Sequence, residues 1–143
     1  MVAMQNHYNL LYREEEREMI KYCNKTGVGI LPWSPLAEGL LARPPGLTGS
    51  TMRSSEPSRF GNGESDSDKA IIKRVLEIAR TRNCKMSQVA LAWLNKRVAA
   101  PIIGINSIQR MNEALVACGM QLTEEEEAYL EEPYQPKKIQ GHS

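Results

Sequence analysis

The residues best suited to ligand chemistry stand in the segment Gly27–Leu41, GVGILPWSPLAEGLL. The apolar run 28–31 predicts a short buried strand, which Pro32 ends because proline has no N–H for a ladder hydrogen bond. Trp33 and Ser34 then place a flat aromatic surface and a hydroxyl at the carboxyl end of that strand. Parallel α/β proteins bind their ligands at this end of the sheet. The spacing therefore predicts a ligand site beside Trp33.

Three segments of the chain alternate a predicted strand with a predicted helix, beginning at Gln5, Val28 and Pro101. Glycine at position 27 suits the end of the first helix, because it adopts left-handed backbone without steric cost. Repeated strand–helix alternation predicts a parallel α/β fold. Gln5 is a polar residue at the end of the first predicted strand. From the local sequence alone, it could cap the strand or face solvent without binding a ligand.

The middle of the chain is predicted to form two helices. Ser67 or Asp68 can cap the first, which extends over 69–82 with apolar residues on one face. The second begins near Ser87 and is apolar on nearly every side, which predicts burial all round. We therefore expect Trp93 in the core rather than at a ligand.

The last part of the chain is predicted to hold a strand over 98–105 and two more helices. Asn106 or Ser107 caps the first of these helices, and Leu122 precedes the second, whose first turn is acidic. The segment 133–143 is expected on the surface. The inner stripe of the first helix is predicted to consist of Met111, Ala114, Leu115 and Cys118.

The segment 44–68 differs from the rest in its richness in Ser, Gly and Pro. Because it holds few large apolar residues, it is predicted to be a flexible loop, and loops of this length are often binding lids. The remaining composition is that of a globular domain, with 41% apolar and 24% charged residues.

The overall charge argues against several functional classes. Eighteen Lys and Arg residues nearly balance 17 Asp and Glu residues, so we expect neither a nucleic-acid nor a membrane partner. The three cysteines are scattered without metal-ligand spacing, which predicts no zinc site and favours a reducing, cytoplasmic location. No run reaches the ~20 apolar residues of a membrane helix, and residues 1–9 do not resemble a signal peptide.

Three motifs resemble the NADP-dependent aldo-keto reductases, especially the aryl-alcohol dehydrogenase branch. They are MQNHYNLLYREEE from Met4, VGILPWSPLAEGLL from Val28 and PIIGINSIQRMNEAL from Pro101. The resemblance covers nearly all 143 residues. It implies a partial (β/α)8 TIM barrel, made of the last three βα units and a carboxy-terminal helix, whereas a whole barrel needs ~250 residues.

The resemblance also implies roles at the nicotinamide and pyrophosphate of NADP(H). Gln5 corresponds to the family's glutamine that binds the carboxamide, and Trp33 to the aromatic residue that stacks on the nicotinamide ring. Ser34, Leu36 and Glu38 correspond to positions that line the pyrophosphate. The loop after this strand closes over the pyrophosphate in the family, which favours a lid function for 44–68.

The second part of the implied cofactor site holds the adenosine end. Gly104, Asn106, Ser107 and Arg110 match the turn and helix start that hold the 2′-phosphate. Free amides at a helix start attract a phosphate dianion, and a guanidinium adds charge-assisted hydrogen bonds. Glu113 matches the acidic residue that contacts adenine, although the next residue is alanine where the family often has asparagine.

The family's catalytic Tyr, Lys, Asp and His lie on strands that this sequence does not contain. We therefore expect the carboxy-terminal part of an NADPH-dependent reductase of aldehydes or ketones, which arose by truncation, duplication or fragment expression and is inactive alone. The carbonyl substrate would bind once the barrel is completed, and the exposed barrel strands could self-associate. The alternatives are a non-enzymatic NADPH- or partner-binding remnant, and a helix-turn-helix over 86–97 and 107–117, which the neutral charge disfavours.

Overall fold

A computed structural model describes residues 1–46 and 65–140 of the chain. The α-helices in these ranges are α1 (Met19–Thr26), α2 (Asp66–Thr81), α3 (Met86–Asn95), α4 (Ile108–Gly119) and α5 (Glu124–Glu131). The strands are β1 (Ala3–Met4) and β2 (Gly29–Ile30), and 3-10 segments cover Glu14–Glu16 and Ala37–Ala42. None of the helices in the described part of the chain has the length and apolar character needed to cross a bilayer.

The two strands form a parallel sheet, with Ala3 opposite Gly29. A parallel bridge between His7 and Trp33 continues their pairing beyond the regular strands. The predicted strand over 98–105 is not a regular strand, which corrects that expectation. Its amides at Ala99 and Ile102 nevertheless donate to the carbonyls of Ile30 and Pro32, at 3.0 and 2.8 Å. Pro101, which has no N–H to donate, interrupts the ladder between them.

The core is built around α3, whose residues from Met86 to Leu94 are buried except Ser87. Trp93 is fully buried, as its all-round apolar helix predicted. Its indole Nε1 donates to Glu131 at 2.9 Å, and the Arg97 guanidinium lies 4.4 Å from its ring centroid. α1 ends at Gly27 in the left-handed conformation (φ 74°), also as predicted.

The start of α2 differs from the prediction. Ser65, and not Ser67 or Asp68, caps this helix by accepting a hydrogen bond from the Asp68 amide at 3.1 Å. The predicted loop 44–68 therefore ends three residues early, because α2 begins at Asp66. Residues 47–64 of that loop, including the proposed lid, lie outside the described residues.

The predicted inner stripe of α4 is wrong. Met111 and Leu115 are 43% and 61% exposed, Cys118 is exposed, and Ala117 is the buried residue of this helix. The reason is the way that α4 meets α3. The side chains of Gln88 and Asn95 donate to the carbonyls of Glu113 and Ala117, so α4 meets α3 along this side, and Met111 and Leu115 stay exposed.

Candidate functional site

Three aromatic side chains form a column at the carboxyl ends of β1 and β2. The imidazole of His7 is sandwiched between Trp33 and Tyr12, with ring centroids 4.2 and 4.3 Å apart. Both ring pairs are nearly parallel, with interplanar angles of 9° and 14°. His7 and Tyr12 are buried, whereas Trp33 is half-buried. The indole is thus the most exposed of these three rings.

Asn9 connects this column to the loop after β2. Its buried amide Nδ2 donates to the Ser34 carbonyl at 2.9 Å and lies 3.4 Å from His7 Nε2. Its Oδ1 accepts a hydrogen bond from the Leu11 amide at 2.8 Å. The two chain segments that carry His7 and Trp33 are therefore joined by backbone bridges, stacked rings and one buried amide.

Burial lowers the pKa of His7 to about 4, and the positive charge of Lys137 adds to this effect. The imidazole is consequently neutral at physiological pH. A neutral ring has one nitrogen that can accept a hydrogen bond, which is consistent with Nε2 facing the Asn9 amide.

The loop after Trp33 has an unusual backbone. Ser34, Ala37 and Glu38 have positive φ values of 54°, 48° and 56°, and Gly39 follows at 93°. Such conformations cost non-glycine residues about 1–2 kcal/mol each, and they concentrate at ligand-binding loops. Arg43 Nη2 donates to the Glu38 carbonyl at 3.4 Å, so the guanidinium covers Gly39.

The start of α4 is open to solvent. Ser107 caps the helix by accepting a hydrogen bond from the Arg110 amide at 3.2 Å, which confirms Ser107 over Asn106 as the cap. Asn106 and Arg110 are exposed, and within the described ranges the Arg110 guanidinium has no ion-pair partner. A Cβ on Gly104 would meet no atom within 4 Å. The amides and guanidinium are thus accessible to an anion.

The sheet brings these two segments to one edge. Because Ala99 and Ile102 pair in parallel with the β2 segment, the loop of Trp33 and the turn before α4 leave the sheet in the same direction. Gln5 is exposed just after β1, beside this edge. Leu36 precedes the 3-10 segment as its cap. Glu113 is half-buried, and its carboxylate accepts a hydrogen bond from Gln109 at 3.2 Å.

Sequence reasoning missed His7, Asn9 and Tyr12 as parts of this site. Side chains alternate across an extended segment, so a spacing of two residues places Gln5 and His7 on one face. That signal could have placed His7 near the cofactor end, but it could not reveal the contact with Trp33. Among the described residues, no group of His, Cys, Asp and Glu could hold a metal ion.

Comparison with known proteins gives one consistent result. The model of the Aldo/keto reductase family matches residues 1–135. An aldo-keto reductase of Fusarium vanettenii is 61% identical over 146 residues, covering 99% of this chain and 39% of that protein. A Schizosaccharomyces pombe protein named as an aryl-alcohol dehydrogenase is 49% identical over 145 residues, covering 98% of this chain and 40% of that protein.

The fold comparison agrees with the sequence comparison. The structure of a thermostable aldo-keto reductase in complex with the inhibitor epalrestat matches with a TM-score of 0.65 at 26% identity. The match covers 92% of this chain and 39% of that one. The chain thus spans about two fifths of the length of these relatives.

Proposed function

Because the chain belongs to the aldo/keto reductase family, we propose that it is the carboxy-terminal, NADP(H)-binding part of a carbonyl reductase. In complete form this enzyme reduces aldehydes or ketones to alcohols. The observation that carries the proposal is the common sheet edge from which the Trp33 loop and the start of α4 both emerge. The free cysteines at positions 23, 84 and 118 favour a reducing, cytoplasmic compartment.

The nicotinamide half of the cofactor fits the Trp33 loop. Trp33 offers a half-buried indole for stacking, and Gln5 is exposed beside it for the carboxamide. The backbone is left-handed at Ser34 and Glu38, and Arg43 brings a cation to the same loop. These features suit a pyrophosphate, although the Glu38 carboxylate would repel one and must point away from it.

The adenosine half of the cofactor fits the start of α4. The open space at Gly104 and the Ser107 cap leave the helix start accessible, and Arg110 adds an exposed guanidinium. Helix amides and a guanidinium together favour a dianionic phosphate. Asn106 supplies a further polar group at the turn, and Glu113, in the second turn of α4, would contact the adenine amino group.

Bound NADPH supplies the hydride in this reaction class, and this chain's own residues bind and orient the cofactor. Trp33 selects the ring face that is presented, and the phosphate contacts fix the far end. The general acid that protonates the carbonyl oxygen is proposed to come from the rest of the barrel. We therefore expect no aldehyde reduction by the chain alone, since general acid catalysis contributes about 10²–10⁴-fold to the rate.

The proposal is tested by fluorescence titration of the full chain with NADPH and NADH, alone and with the amino-terminal half of a related reductase. Arg110→Met should weaken NADPH binding by about 10- to 150-fold and leave NADH unchanged, because a hydrogen bond to a charged group contributes about 1.5–3 kcal/mol. Arg80→Met, at another exposed arginine, is the matched control. Equal loss for both cofactors would refute the phosphate role.

The second candidate function is a non-enzymatic partner-binding module. The observation that favours it is the exposed apolar face of α4, which includes Ile108 and Leu115. The same titrations separate the two. A partner-binding module would bind neither cofactor, with or without the complementary half, whereas a reductase part would bind NADPH at least when the barrel is completed.

A further inference from the structure

The indole of Trp33 is held from one side by a rigid support. His7 lies against one face of the indole at 4.2 Å and 9°, and Tyr12 lies against the opposite face of His7 at 4.3 Å and 14°. Tyr12 is itself fixed, because its backbone exchanges two 3.1 Å hydrogen bonds with Asn9. Its hydroxyl also accepts a hydrogen bond from the Gln140 amide at 3.1 Å.

The support includes a polar contact that sets the imidazole's orientation. The Asn9 amide nitrogen lies 3.4 Å from His7 Nε2 and donates to the carbonyl of Ser34, the residue after Trp33. One buried side chain thus fixes both the ring behind the indole and the backbone that carries it. Since the imidazole is neutral, it has the acceptor nitrogen that this contact requires.

We propose that His7 is a positioning residue for the cofactor: its imidazole, wedged between Trp33 and Tyr12, holds the indole in the orientation that receives the nicotinamide ring. The inference rests on the proposed cofactor function. The observation behind it is the parallel stacking of His7 on the indole, at 4.2 Å and 9°. Stacking on a fixed indole costs less entropy than stacking on one that must first be ordered.

An ordinary core histidine is the plain alternative for His7. Such a residue would fill volume, so that any apolar side chain of similar size could replace it. The positioning role instead requires a flat ring, because only a flat ring makes parallel contact with both neighbours. His7→Leu and His7→Phe separate the two explanations, since leucine fills space without a flat face and phenylalanine keeps one.

The first measurement does not need the cofactor. The near-ultraviolet circular dichroism of Trp33 is obtained by subtracting the spectrum of a Trp33→Phe counterpart from that of each variant. We expect His7→Leu to abolish most of the Trp33 signal and His7→Phe to retain it, with far-ultraviolet spectra unchanged. Tyr22→Leu, at an exposed aromatic residue of α1, is the control and should change nothing. An unchanged Trp33 signal in His7→Leu would overturn the proposal.

The second measurement is cofactor affinity of the same variants. His7→Leu should weaken NADPH and NADH alike, by about 2- to 12-fold, the size of an aromatic pair contact. His7→Phe should restore both affinities to within about twofold of wild type. If His7→Leu loosens Trp33 but leaves both affinities intact while Trp33→Ala lowers them, the positioning role is refuted.

Different results would refute the proposed function. If wild-type chain and completed barrel bind neither cofactor, the reductase assignment is refuted, and with it the cofactor role of His7. The circular dichroism then still decides whether His7 holds the indole. If only Arg110→Met lacks the expected cofactor selectivity, the phosphate assignment fails and the His7 result stands.

Discussion

Lys137 and Asp68 form a buried ion pair that ties the carboxy-terminal segment to the start of α2. The ammonium lies 2.6 and 2.8 Å from the two carboxylate oxygens, and the Asp68 side chain is 1% exposed. The Lys137 amide and the Tyr134 hydroxyl both donate to Glu14 Oε1 at 2.7 Å. The segment 133–140 lies on the surface as expected, with no buried residue, and contacts of Tyr134 and Lys137 anchor it there against the loop before α1.

Removing the Asp68 charge should destabilise the whole fold. Asp68→Asn leaves the Lys137 ammonium largely buried without its counter-charge, which costs about 3–5 kcal/mol of the free energy of unfolding. We expect about 3 kcal/mol, because the Lys137 side chain keeps 14% exposure. Urea unfolding followed by far-ultraviolet circular dichroism measures this directly.

Asp66 provides a matched control in the same first turn of α2. Its ion pair with Lys69 spans 3.7 Å between two exposed side chains, so Asp66→Asn should change the free energy of unfolding by at most about 1 kcal/mol. Both substitutions remove one negative charge near the helix start. Equal losses for the two variants would show that the Lys137 contact contributes little.

His7 should make the fold sensitive to mild acid. Its folded-state pKa is about 4, against 6.5 for a free imidazole, so the unfolded chain takes up a proton first. The contribution of His7 to the free energy of unfolding is therefore fully present above pH 6.5 and is lost as the pH falls to 4. One pKa unit corresponds to about 1.4 kcal/mol, which gives a total of about 3 kcal/mol across this window.

The variant His7→Phe isolates this effect from the carboxylates. Burial opposes the charged form of Glu16, but hydrogen bonds from Arg13 and Tyr8 outweigh it and hold the pKa of Glu16 below its usual value. The stability that Glu16 contributes is therefore also lost in acid. The difference between wild type and His7→Phe removes that contribution. We expect the free energy of unfolding of wild type to fall by about 3 kcal/mol relative to that of His7→Phe between pH 6.5 and 4. Parallel curves would show that His7 has an ordinary pKa.

Local sequence predicted the helices well and their caps less well. The all-round apolar character of α3 and the left-handed Gly27 follow from patterns within a few residues, and both were confirmed. The cap of α2 could not be read locally, because Ser65, Ser67 and Asp68 are all suitable. Contacts with residues far along the chain decide between them: Ser67 donates to the Pro133 carbonyl, and Asp68 pairs with Lys137.

The candidate site was likewise predictable from the sequence only in part. The loop after Trp33 and the start of α4 were recognisable as contiguous motifs. The column of His7, Tyr12 and Trp33 was not, because a contact between segments 26 residues apart leaves no periodic signal. The orientation of α4 was missed for a related reason. Its stripe was apolar, but only the position of α3 shows which face is covered.

The exposed face of α4 should cause self-association of the chain. Ile108, Leu115 and Val116 are 75%, 61% and 61% exposed on this helix, and burying them against a second copy removes apolar surface from water. Light scattering should show a mass that rises with concentration, and Leu115→Lys should reduce it. Val2→Lys, at an exposed residue of the first segment, is the control. A monomer at every concentration would contradict this expectation.

Substitution of Gly104 tests whether glycine is needed at this position for folding or for binding a ligand. Its φ lies outside the left-handed region, and an added Cβ would meet no atom within 4 Å. Gly104→Ala should therefore keep or raise the free energy of unfolding, by up to about 1 kcal/mol, because alanine restricts the unfolded chain. Within residues 1–46 and 65–140, therefore, no contact requires glycine at this position.

The proposed cofactor does require glycine at position 104 if the cofactor's phosphate approaches the backbone closely. A methyl group at position 104 would then occupy part of the space for the adenosine end, and Gly104→Ala should weaken NADPH and NADH together. Gly119→Ala, at the end of α4 with equally open surroundings, should leave both affinities unchanged. Fluorescence titration of the completed barrel measures both variants. Unchanged affinity in Gly104→Ala would mean that the cofactor does not approach this turn, and the assignment of Asn106 and Ser107 would fall with it.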